Sequence, residues 1–175
     1  MPSTDEQIRA ARELDERTAQ WRLWLRRAGV VVLVAVPVVA LFNLLGQRAT
    51  TTTKSTPVVT VSLHAPDRIR TGLLFQAKVT IVAHRRLPAV TLDLGNGWID
   101  GMTMNTDEPG GVTETSVPGG GLSLSFGTLQ PNQPFVEYFE FQVNPTSSGS
   151  RSQSISVLSN KVPLVHLDHT MTVIP

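Results

Sequence analysis

The run Ala28–Gly46, AGVVVLVAVPVVALFNLLG, is nineteen residues long, carries no charge, and has one strongly polar side chain, Asn43. As a helix rising about 1.5 Å per residue it spans about 28 Å, close to the roughly 30 Å hydrocarbon core of a bilayer. A helix at a protein surface needs a polar face, and this run has none. The sequence therefore predicts one transmembrane helix over residues 28–46. Pro37 lies mid-span, where a helix in lipid tolerates it.

Arg22, Arg26 and Arg27 precede the run, and Arg48 and Lys54 follow it. The denser positive charge on the N-terminal side predicts a cytoplasmic N-terminus and an extracytoplasmic C-terminal bulk. Trp21 and Trp24 sit one turn before the run, where indole rings favour the membrane interface. With Arg26 and Arg27 they are the expected interface anchors, and the bilayer is the first expected partner. Val38 and Ala40 fit a small-residue cleavage pattern, but Leu41, Phe42, Leu44 and Leu45 prolong the apolar run where a signal peptide turns polar. That pattern favours an uncleaved signal-anchor.

Before the run, residues 1–27 read as a cytoplasmic juxtamembrane helix. Ser3 and Glu6 form a capping box, and Ala11, Leu14, Thr18, Trp21 and Leu25 recur at spacings of three and four along one narrow stripe. After it, residues 47–57, QRATTTTKSTP, lack an alternating apolar face and read as a Thr-rich linker.

From Val58 the apolar period changes to two. Val59–Leu63, Phe75–Ala83, Val90–Leu94, Leu122–Phe126, Phe139–Val143, Ile155–Val157 and Val165–Val173 alternate with polar neighbours and are separated by Gly-, Pro- and Asn-rich turns. Seven strands without an intervening helical pattern predict an all-β, Ig-like antiparallel sandwich over residues 58–175. Cysteine is absent and no Asn-x-Ser/Thr acceptor occurs, so the domain folds without disulfides or N-glycans. Both absences fit a bacterial envelope protein. The formal net charge of +1, with nine basic and nine acidic groups over residues 47–175, argues against a nucleic-acid partner.

Three segments resemble bacterial cell-surface Ig-like domains of the "conserved repeat" adhesin and stalk type. They are Ala65-Pro66-Asp67-Arg68-Ile69-Arg70-Thr71-Gly72 leading into Phe75–Ala83, Phe126-Gly127-Thr128-Leu129-Gln130-Pro131, and Phe135–Val143 followed by Asn144-Pro145-Thr146. The resemblance covers most of residues 58–175 and rests on turn spacing. It implies a spacer or binding module.

Reactive constellations are sparse. His166 and Asp168 share one face of the last strand and His169 points to the other, so a metal would need ligands from a second strand. Asp100, Asp107 and Glu108 read as an acidic loop that could hold a cation weakly. No nucleophile elbow surrounds any serine. No catalytic residue, cofactor or metal ligand is assigned. Trp98, Ile99, Met102 and Met104 lie between turn signals, and Trp and Met are favoured at interfaces. They are the candidate contact residues, with burial of Trp98 in the core as the rival reading. The expected function is a non-enzymatic single-pass membrane protein whose outer domain binds another membrane or envelope protein. The alternatives are an accessory subunit assembled through the N-terminal helix and span, for which Asn43 is a hydrogen-bonding candidate, and a weak metal- or carbohydrate-binding module.

Overall fold

The computed structural model of the protein describes residues 4–41, 47–109, 113–117 and 119–175. The chain divides into two compact units, Met1–Leu45 and Gly46–Pro175.

The first unit is a single helix, α1, Thr4–Leu41, which runs unbroken through Pro37. It joins the expected juxtamembrane helix to the start of the apolar run. Trp21 and Trp24 are 65% and 67% exposed, and Val30, Val31, Val32, Leu33 and Val34 are all exposed. Among the described residues no helix is long and apolar enough to cross a membrane. The described part of the run ends at Leu41, about 21 Å of helix from Ala28. The capping residue Ser3, Asn43 and the end of the run at Gly46 lie outside the described residues.

Among its described residues the second unit contains ten strands: β1 Arg48–Ser55, β2 Val59–Arg70, β3 Leu74–Ala83, β4 Leu87–Leu94, β5 Met102–Glu108, β6 Thr113–Val117, β7 Gly121–Leu129, β8 Pro134–Val143, β9 Gly149–Ser159 and β10 Val162–Ile174. They form one continuous sheet in the order β5-β8-β3-β2-β10-β9-β4-β7-β6, with β1 added to β2. The sheet curls so that its apolar faces meet. Trp98, beyond β4, packs 5.2 Å from Phe141 of β8, and Phe126 of β7 packs 4.6 Å from Phe135 of β8. One core cluster draws on β2, β3, β4, β5, β7, β8, β9 and β10. Two facing layers result, β5-β8-β3-β2 and β10-β9-β4-β7-β6.

The bend between layers lies in β2. Its first half pairs with β3, and its last residues pair with β10. Ala65-Pro66-Asp67, expected as a turn, lies within this strand. Pro66 has no N–H to give to a ladder, which suits the point where β2 exchanges partners. The β2–β10 pairing, Arg68–Arg70 against Thr172–Ile174, is parallel. The expectation of a purely antiparallel sandwich is corrected there.

All seven strands read from alternation are present, as β2, β3, β4, β7, β8, β9 and β10, but the count among the described residues is ten. The Thr-rich stretch expected as a linker is β1, paired with β2 along its length. It buries no apolar side chain. Instead Thr51 bonds His64 (2.8 Å), Thr53 bonds Ser62 (2.9 Å) and Ser55 bonds Thr60 (2.7 Å). A strand held by its ladder and by hydroxyl pairs leaves no hydrophobic period to detect, although threonine favours extended backbone. β5 and β6 escaped detection because their apolar alternation is too short: β5 offers only Met102 and Met104 before Asn105-Thr106-Asp107-Glu108, and β6 is Thr113-Glu114-Thr115-Ser116-Val117. Between β9 and β10, Asn160 and Lys161 both have positive φ (50° and 67°), the geometry of a two-residue hairpin with right-handed strand twist.

Candidate interaction surfaces

The segment singled out for contact is mainly core. Gly95 donates to the Ser154 carbonyl (2.9 Å), which ties the Asn96–Trp98 3-10 turn to β9. Trp98 is 1% exposed, and its indole N–H donates to the same carbonyl at 3.1 Å. Met102 is also buried, and its sulfur accepts from Gln153 Nε2 at 3.7 Å. Ile99 and Met104 are partly buried against the same cluster. These four side chains therefore form no exposed patch. An indole suits a core and an interface equally. Here β9 comes close enough to bury it.

The acidic residues also separate. Asp100 pairs with Arg151 (3.6 Å), whose guanidinium also donates to the Asp100 carbonyl. Asp107 and Glu108 belong to strand β5, not to a loop. Among the described residues no group of three His, Cys, Asp or Glu side chains could hold a metal ion.

The last strand keeps the predicted parity. His166 and Asp168 lie on the outer face, 3.1 Å apart. Ser156 of β9 bonds His166 Nδ1 at 2.8 Å, so a serine, a histidine and an aspartate stand in line. The line does not have the geometry of an acyl-transfer site. β9 is laddered to β10 on one side and β4 on the other at this point, so its amides are engaged in the sheet, away from an oxyanion. The row continues through Asp93, which accepts from Ser123 at 2.5 Å. It is a solvent-facing polar row, with the His166 and Asp168 side chains 52% and 72% exposed.

His169 is 7% exposed, and its Nε2 donates to the Pro66 carbonyl at 3.0 Å. Because β10 lies between β9 and β2, His169 clamps the bend in β2. His169→Ala removes this donor, strands a buried carbonyl and leaves a void, at a cost of about 2 kcal/mol. His166→Ala on the wet face changes stability by less than about 0.5 kcal/mol. Urea unfolding of the two variants side by side separates the roles, and equal midpoints would contradict the clamp.

Sequence reasoning did not single out the outer face of β1, β2 and β3. Thr51, Ser62, His64, Lys78 and Thr80 line an open depression of about 320 Å³. In register, Thr51, His64, Lys78 and Tyr138 form one row across four strands. The Lys78 ammonium lies 5.6 Å from the Tyr138 ring centroid, and Thr60 bonds His84 Nε2 at 2.9 Å. This face offers hydroxyl, imidazole, ammonium and phenol groups on a rigid sheet, suited to polar recognition. The alternating Thr and Ser of residues 51–62 were the available signal, once β1 is known to be a strand.

Inside the sandwich, Glu137 is 0% exposed, and neither carboxyl oxygen has a hydrogen-bond partner among the described residues. Burial, with the Asp107 charge adding to it, pushes its carboxyl up to about 7. The alternation of β8 puts Glu137 in phase with Phe139 and Phe141, so its inward direction was legible.

Neither a family model nor a curated relative matches the chain. Among solved structures, the chain is similar to CaCohA2 from Clostridium acetobutylicum, at 14% identity and a TM-score of 0.48, over 66% of this chain and 90% of that one. It is also similar to AvmM, which catalyses macrocyclisation in alchivemycin A biosynthesis, at 7% identity and a TM-score of 0.46, over 73% and 89%. A non-cellulosomal cohesin from the hyperthermophilic archaeon Archaeoglobus fulgidus is similar at 13% identity and a TM-score of 0.41, over 73% and 92%. At such scores and identities no function is carried across.

Proposed function

We propose that the protein is a single-pass membrane protein, N-terminus cytoplasmic, whose extracytoplasmic sandwich binds another membrane or envelope protein without catalysing a reaction. The observation that carries the anchoring is the exposure of Val30, Val31, Val32, Leu33 and Val34 at five successive positions of α1. Five successive positions point in every direction around a helix, so no single protein face could cover them all, whereas lipid could. Trp21, Trp24, Arg26 and Arg27 stand where interface anchors would be needed.

The binding role draws on the outer unit. The neighbour orders β2-β3-β8-β5 and β4-β9-β10 correspond to the A-B-E-D and C-F-G layers of an Ig-like sandwich. The hairpin β6–β7 is inserted between the fourth and fifth of these strands and extends the second layer beyond β4. The polar row Thr51, His64, Lys78 and Tyr138 is the face we assign to the partner.

The test has two arms. Leu33→Arg with Val34→Arg adds about 3 kcal/mol per arginine to insertion and moves the full-length protein from the membrane to the soluble fraction. Retention in the membrane by the double variant would remove the anchoring. Cross-linking in intact cells with the N-terminally tagged chain then identifies the face. Links through Lys78 to one envelope protein support the assignment. Links confined to residues 4–41 favour the reading as a complex subunit assembled through the helix, with Asn43 bonding across helices.

A further inference from the structure

We propose that Glu137 makes the β5–β8 margin of the sandwich a pH-sensitive latch, closed when its carboxyl is protonated and loosened when it ionises. The inference does not depend on membrane anchoring, because it concerns only the second unit.

Glu137 stands opposite Val79 of β3, and the neighbouring inward positions of β3 are Ala77 and Ile81. None of these can neutralise a carboxylate. On β5, Asp107 stands opposite Phe139, one diagonal step from Glu137, and carries the same sign of charge. β7 contains no titratable residue, and Glu114 of β6 is exposed. Tyr138 and Glu140 of β8 itself alternate onto the opposite face. Gly110, Gly111, Val112 and Pro118, which lie outside the described residues, have no ionisable side chain. The basic side chains with buried nitrogens are His169, whose Nε2 is engaged by Pro66, and Arg151, whose guanidinium is engaged by Asp100. An anion formed at Glu137 therefore has no hydrogen-bond or ion-pair partner among the described residues of the second unit.

A buried, unpaired anion is relieved either by protonation or by letting in water. Water entry requires the weakest neighbouring element to yield. β5 is seven residues long and, among the described residues, ladders only to β8. Its register is already interrupted between Met104 and Thr106. Opening β5 brings solvent to Glu137 and frees one edge of β8 for another strand, while the rest of the sheet keeps its ladders.

The sign follows from the raised carboxyl. Below the ordinary glutamate range both folded and unfolded chains hold the proton, and closure is at full strength. As pH rises from about 4.5 to about 7, the unfolded or opened state releases the proton first, and closure weakens.

Hydrogen exchange of the full-length protein, corrected for the intrinsic rate at each pH, tests the latch. Between about pH 5 and about pH 8, protection of residues 102–108 should fall about tenfold or more, while that of β9 and β10 stays level. Glu137→Gln keeps the shape and cannot ionise, so its β5 protection should be the same at both ends. Asp107→Asn leaves Glu137 in place but removes the like charge, so the wild-type fall should move to lower pH. That last direction discriminates: a shift to lower pH is required by the latch, because removing the repelling charge lowers the pKa of Glu137, and a shift upward would overturn it. A wild-type profile flat with pH, an equal fall in Glu137→Gln, or a loss spread evenly over β9 and β10 would each overturn it as well.

Discussion

Trp98→Ala lowers the stability of the outer unit by about 3–5 kcal/mol, a large fraction of the roughly 5–15 kcal/mol that holds a domain of this size together. The indole is among the largest fully buried side chains. It packs on Phe141 across the two layers and donates to the Ser154 carbonyl. Its loss removes apolar contact from both layers and one of the two donors that tie the Asn96–Trp98 turn to β9. Trp98→Phe keeps most of the packing and loses the N–H, so it should fall between wild type and alanine. Far-UV circular dichroism through a urea titration measures all three. A midpoint for Trp98→Ala within error of wild type would mean that the indole is not in the core.

Gly97→Ala, one residue away, costs about 3 kcal/mol for a different reason. The backbone at Gly97 does not need a left-handed conformation; the position needs space. A Cβ there would overlap the carbonyl oxygen of Ser152 and stand 2.8 Å from its carbon. Both obstructing atoms are backbone, in a strand laddered to β10 at this point, so neither yields cheaply. The same urea titration reads the loss. Because both substitutions act on the contact between this turn and β9, the double variant should lose less than the sum of the two. Full additivity would show that the turn and β9 do not act as one unit.

The role of this turn was the least legible part of the chain. Gly95-Asn96-Gly97 is a turn signal, and a tryptophan beside it suits a core or an interface by composition alone. What buries Trp98 is β9, which begins about fifty residues further on. A longer separation, 103 residues between His169 and Pro66, hid the role of His169. Its direction, opposite to His166 and Asp168, followed from strand parity. Its place against Pro66 required the parallel pairing of β10 with β2, between opposite ends of the domain. Glu137 differs from both, since its phase with Phe139 and Phe141 is local. Counting it with the polar alternates would have required breaking the period of β8.

The sequence by itself determined the apolar run that begins at Ala28, the all-β character beyond Val58, seven of the strands and the inward face of their alternating apolar residues. These properties depend on neighbours two to four residues apart, where the periods of helix and strand act. Tertiary structure alone decided that β1, β5 and β6 are strands, that β2 bends from one layer to the other, that β10 runs parallel to it, and which polar groups are enclosed. β1 shows the reason: its eight residues bury no apolar side chain, and only the open edge of β2, formed by a fold closed elsewhere, gives them a ladder to join.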